Sequence, residues 1–87
     1  MSEATDPYEH TPTTLVYDIF AERSGQLIAQ YTRLSDTAAD GVERERWWQK
    51  ALEVRDAKRA VPAHDREQLL AHISSWAADI EALKEGE

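Results

Sequence analysis

The stretch "VERERWWQKALEVRDAKRA", residues 42–60, sets two adjacent tryptophans, Trp47 and Trp48, among ten charged residues. Neighbours on a helix point about 100° apart, so the two rings cannot enter one narrow seam. Projected with Trp47 at zero, Val61 falls at about −40°, Val54 at about −20°, Ala51 at about 40°, Trp48 at about 100° and Leu52 at about 140°. The apolar arc is about 180° wide, more than a single neighbour can cover. The spacing therefore predicts a helix that touches two others, with one tryptophan ring for each. Val61-Pro62 ends it, because the residue before a proline is pushed out of the helical region.

Helices are predicted on both sides. Downstream, Asp65 followed by Gln68 forms a capping box, and Glu67 suits the positive end of a helix dipole. Leu69, Ile73, Trp76, Ile80 and Leu83 then recur at a four–three–four–three spacing, a coiled-coil-like seam. That helix ends near Lys84. His72, four residues before Trp76, is expected to stack on it half-buried.

Upstream, Leu15, Val16, Ile19, Phe20, Leu27, Ile28, Tyr31 and Leu34 recur at helical spacing from a start near Thr13 or Thr14, with a threonine cap. Ser24-Gly25 interrupts the bulk of this helix. Folding the chain back at residues 35–37 puts that notch level with Trp47 and Trp48, so the expected core gathers Trp47, Trp48 and Trp76 into one layer against it. "LSDTAADGVE" breaks the periodicity, and Thr37 with Asp40 resembles a cap for the second helix, which starts between Ala38 and Val42.

The expected fold is all-α: an up-down-up three-helix bundle over residues 13–85, preceded by a flexible acidic arm over residues 1–12. The alternative is a helical hairpin completed by dimerisation. Tyr8 is the arm's one substantial anchor.

Charge is segregated. The chain carries 17 Asp plus Glu against 10 Lys plus Arg, a net charge of −7, yet residues 42–60 hold six basic residues against four acids. Residues 1–22 contain no Lys or Arg. A basic middle between acidic ends is self-complementary within one molecule or across a dimer, and the acidic arm could dock on helix 2 in either way; a solvated helix with i,i+4 pairs is the plainer reading.

Two arginines break the apolar pattern. Arg55 projects inside the helix 2 arc, at about 80°. Arg23 falls on the apolar side of helix 1, level with Trp48, where a cation–π contact is available. Each either carries its charge to the seam edge or marks a pocket for an acidic group.

The motifs of several function classes are absent. There is no phosphate-binding glycine loop, HExxH, CxxC or nucleophile elbow. His64, His72 and Asp65 make a poor metal set by spacing. The acidic pairs sit on charged faces without a sign of a cleft. No enzyme activity, cofactor or metal is expected. No apolar run is long enough for a membrane, the start lacks a basic-then-apolar signal pattern, and the expected compartment is the cytoplasm.

Nucleic acid binding is disfavoured: helix 2 interleaves its cations with acids, and the whole chain is acidic. The leading expectation is a non-catalytic protein–protein interaction module, self-associating as a homodimer or meeting a protein partner, and acting as a small regulator or adaptor. The alternative is a nucleic-acid-associated regulator using the basic, tryptophan-bearing helix 2. The candidate interaction residues are Trp47, Trp48, Arg55, Arg23, Tyr17, Ile28, Lys58 and Arg59, with Tyr17 and Ile28 at the far edge of helix 1's own wide arc.

Overall fold

A computed structural model describes residues 8–86, which form three helices and no strand among the described residues: α1 (Thr13–Thr37), α2 (Gly41–Ala60) and α3 (Arg66–Glu85). The fold is a three-helix bundle. Backbone approaches run from α1 to α2 and from α1 to α3; the α2 and α3 backbones do not come together. Helix α1 is thus the middle member of a flat layer, with principal extents of 49 × 26 × 15 Å.

The expectation that helix 2 lies equally against both others is corrected at the backbone, although α2 side chains still share grooves with α3, Trp47 with Ala82 and Leu83, and Val54 with His72 and Trp76. The reason lies in polarity. Helix α1 carries five charged residues in 25, whereas α2 carries ten in 20. Two wide apolar arcs compete for the central position, and the less charged one desolvates more cheaply. Its stripe Val16, Phe20, Ser24, Leu27, Tyr31 and Ser35 is buried along the full length. Helix α2 fully buries only Ala51 and Val54.

The ends follow local chemistry. Helix α2 is capped by Asp40, whose carboxylate accepts from the Glu43 amide at 2.8 Å. Thr37 turns back instead, donating to the Arg33 carbonyl at 3.0 Å. Helix α3 has the expected box: the Asp65 carboxylate accepts from the Gln68 amide at 3.2 Å and from its side-chain nitrogen at 2.6 Å. No threonine caps α1; its N-cap is Pro12, without a side-chain bond.

Register differs from expectation. Helix α1 runs on through Thr37, and the chain reverses near residue 39. The Ser35 hydroxyl donates to the Arg44 carbonyl at 2.9 Å, pinning that turn. Trp47 therefore sits level with Tyr31 and stacks on it, with ring centroids 5.8 Å apart. Trp76 is buried on Phe20 at 5.1 Å, and His72 lies 4.9 Å from Trp76, the expected stacked pair. The single tryptophan layer is thus replaced by two separate aromatic stacks on α1. Gly25 is exposed, and a Cβ there would meet nothing within 4 Å, so no ring uses the notch.

Before α1, residues 8–11 turn, with the Thr11 amide donating to the Tyr8 carbonyl at 2.8 Å. Arg66, in the first turn of α3, donates to the carbonyls of Tyr8 and Thr11 and to the Thr13 hydroxyl. Tyr8 packs against the core. The rest of the acidic arm, residues 1–7, lies outside the described residues.

Candidate functional site

The placement of α2 against one neighbour settles where its surplus arc goes. Its inner face centres on Trp47, Ala51 and Val54, so positions about 100° away on the Trp48 side turn outward. Trp48 is 45% exposed and lies outside the contiguous core, contrary to the two-sided anchoring expected from projection. Arg55 is corrected in the same way. It is exposed, with its guanidinium 3.4 Å from the Asp56 carboxylate, and is not buried in an apolar seam.

Spacing of four, four, three and four aligns Arg44, Trp48, Leu52, Arg55 and Arg59 on one edge of α2. Leu52 is half-buried and the arginines are exposed. The edge is a ring and an aliphatic side chain framed by three guanidinium groups. The other tryptophan is engaged internally. The Trp47 indole donates to Glu43 Oε2 at 3.2 Å, and Arg46 lies 4.9 Å over its ring. Lys58 Nζ is 6.0 Å from the Tyr17 ring, which packs on Phe20 at 5.6 Å. Tyr17 and Ile28 are half-buried against the core, so they do not supply the surplus apolar surface assigned to them.

Arg23 is not beside Trp48. It faces α3, in an open groove of about 610 Å³ shared with Gln26, Gln30, Arg33, Glu81 and Lys84. Its Nε is buried and has no hydrogen-bond partner. Arg33 and Lys84 were missed by reading Arg23 alone. The signal was available: Arg23, Gln26, Gln30 and Arg33 recur at three, four and three, one polar stripe on α1.

Two ionisable groups are displaced. The Tyr31 hydroxyl is pushed up, first by burial and then by the carboxylates of Asp79 and Glu53. The Asp65 carboxyl is held down by its bonds from the Gln68 side chain and amide. Both have structural explanations, and neither stands beside a nucleophile. Among the described residues, no group of three or more His, Cys, Asp or Glu side chains is placed to hold a metal, and no helix is long and apolar enough to cross a membrane.

No protein-family model, curated protein or solved structure matches the chain.

The surface features that stand out are the Trp48 edge of α2 and the groove beside Arg23.

Proposed function

We propose that this protein is a non-catalytic helical interaction module, a small regulator or adaptor that self-associates through the Trp48 edge of α2. The observation that supports this reading is the exposed indole itself. An indole standing outside a packed core, with a half-buried leucine one turn on and arginines around it, has the composition of an interface centre, where Trp and Arg are enriched. A second copy suits the edge. Antiparallel pairing centred on Leu52 sets each Trp48 against Arg55 of the partner subunit, and Glu45 against Arg59 of the partner subunit. That gives a self-complementary, closed twofold contact with cation–π and ion pairs at its margin.

Sedimentation equilibrium across a wide concentration range tests this. A dimer is expected for the native chain, and a monomer for Trp48→Glu. A native chain that stays monomeric at millimolar concentration contradicts the proposal, as does a Trp48→Glu variant that still dimerises.

The same edge supports a second reading, because an exposed ring among three arginines can also stack a base and hold a phosphate. A net charge of −7 opposes that use. Anisotropy with a labelled single strand at 20 and 200 mM salt discriminates: tight binding at low salt that falls steeply would favour nucleic acid.

A further inference from the structure

Helices α2 and α3 flank α1 without backbone contact, and two grooves open along the valley between them. One, of about 260 Å³, has Glu53 and Val54 of α2 on one wall, Ser75 and Asp79 of α3 on the other, and Tyr31 of α1 between them. The other, of about 300 Å³, is bounded by Leu34, Trp47, Ala82 and Leu83. The stack of Tyr31 on Trp47, at 5.8 Å, joins the two.

The first groove holds acceptors that nothing uses. Tyr31 is 7% exposed, yet its hydroxyl has no hydrogen-bond partner among the described residues. A buried hydroxyl normally has one. The carboxylates of Asp79 and Glu53, one from each wall, both bear on this hydroxyl. Neither carboxylate makes a hydrogen bond or an ion pair with another described residue. Lys50 lines the same groove, 6.0 Å from the Tyr31 ring, and pairs with neither of them. Asp79 is half-buried, so its charge is only partly hydrated. Two carboxylates on facing helices with a hydroxyl between them suit a cation that carries several N–H donors, an ammonium or a guanidinium. They fall short of a metal site, since among the described residues no three ligand side chains converge. The second groove is apolar, with Leu34, Trp47 and Leu83 half-buried around it. It lies about 6 Å along α3 from the cation seat, counted from Asp79 to Leu83, and about 9 Å along α2, counted from Glu53 to Trp47. A free amine would fill only the first groove. A helical segment with a cation and an apolar side chain one turn apart fills both.

We propose that the valley between α2 and α3 docks a basic amphipathic segment of a partner protein, seating a lysine or arginine between Glu53 and Asp79 and an apolar side chain on Trp47 and Leu83. The guest's N–H groups pair both carboxylates and give the Tyr31 hydroxyl oxygen the bond it lacks. Glu53 projects about 140° around α2 from Trp48, so the site is separate from the Trp48 edge and does not depend on self-association.

The test is fluorescence anisotropy with the full chain and a labelled helical peptide of about 15 residues, which matches the run of α3 along the valley at 1.5 Å per residue, with lysines and leucines four apart. A matched peptide with Gln for every Lys and free spermidine serve as competitors. The basic peptide is expected to bind, and the Gln peptide to bind at least tenfold more weakly, with the difference shrinking as salt rises. Asp79→Asn is expected to weaken binding about tenfold, in line with the loss of a charge-assisted bond. Tyr31→Phe and Ala82→Lys weaken it several-fold each, the first by removing the free hydroxyl and the second by placing bulk and like charge at the apolar groove. Trp48→Ala leaves it unchanged. Glu53 is exposed, so Glu53→Gln decides the matter if Asp79→Asn does not fold. Equal binding of the two peptides, or no effect from either carboxylate, overturns the proposal. Displacement by spermidine at concentrations matching the peptide assigns the seat to a free amine. Loss of self-association in Asp79→Asn, under conditions where the native chain dimerises, assigns the valley to a second copy. Either result also overturns the proposal.

Discussion

Replacing each tryptophan in turn by alanine separates three environments that look alike in sequence. Trp76 is 5% exposed and packs on both Phe20 and His72, whose own rings are 6.0 Å apart. Its removal leaves a cavity against a fully buried ring and should cost about 3–5 kcal/mol. A domain of this size has a total stability of about 4–13 kcal/mol, and each kcal/mol shifts Tm by about 4–8 °C. Trp76→Ala should therefore lower Tm by at least about 12 °C or unfold the protein outright. Trp47 is half-buried, keeps one stacked partner in Tyr31 and donates to Glu43. Losing the stack and part of the burial should cost about 1–3 kcal/mol. Trp48, outside the core, should cost within about 0.5 kcal/mol. Urea unfolding followed by ellipticity at 222 nm measures all three. Each melt is repeated at tenfold lower protein concentration, because self-association adds concentration-dependent stability to any variant that retains it. The reasoning fails if Trp48→Ala is as damaging as Trp76→Ala at both concentrations, since Trp48 would then be a core residue.

Arg66→Met removes two bonds to the segment before α1 and one to Thr13, its first residue; amide exchange across residues 8–13 should accelerate at least about tenfold while the middle of α1 keeps its protection, and unchanged exchange would show that Arg66 does not hold the segment. The Asp65 carboxyl is held below its unfolded value by the Gln68 bonds, so its contribution is present above about pH 4 and lost as pH falls through the folded value. Asp65→Ala should lower stability at pH 7, and its difference from the native chain should shrink in acid; a constant difference from pH 7 to 2 contradicts this. Tyr31 is raised by burial and by Asp79 and Glu53, so the stability linked to its protonated form is present below about pH 10 and lost as pH climbs through the folded value. Tyr31→Phe keeps the ring stacked on Trp47 and should move the midpoint of alkaline unfolding upward; coincident alkaline limbs would refute the assignment.

The helices were legible in the sequence because each announces itself by period, and α2 and α3 also by an aspartate cap. The Asp65–Gln68 box and the Leu69–Leu83 seam lie where their spacing puts them. The order of packing was not legible. Projection gives the width of an apolar arc but not which of two wide arcs is shared, and α1 and α2 were nearly equal by that measure. Register failed for a related reason. A shift of the chain reversal from residue 36 to 39 moves facing positions by six in their sum, enough to replace Gly25 by Tyr31 opposite Trp47. Whether Ser35-Asp36-Thr37 stays helical depends on the Ser35–Arg44 bond, a contact between elements that no local pattern contains. Arg23 was flagged from projection, but its surroundings needed α3, which brings Glu81 and Lys84 to the same groove.

The width of an arc and the number of neighbours it receives together account for where this protein can act. Three helices with α1 in the middle offer the α2 and α3 backbones one close neighbour each. Helix α3 matches this, since its narrow four–three seam is buried at Leu69, Ile73, Trp76 and Ile80. Helix α2 does not match, and the excess emerges as Trp48 and Leu52. Evolutionary or energetic neutrality would place charge there, as everywhere else on α2, because an exposed indole contributes little to folding and carries an aggregation risk. An exposed indole is covered in the proposed self-association, so a polar substitution at Trp48 should leave the isolated chain at least as stable and should abolish the proposed dimer; a Trp48→Glu variant that is markedly less stable at low protein concentration would contradict this.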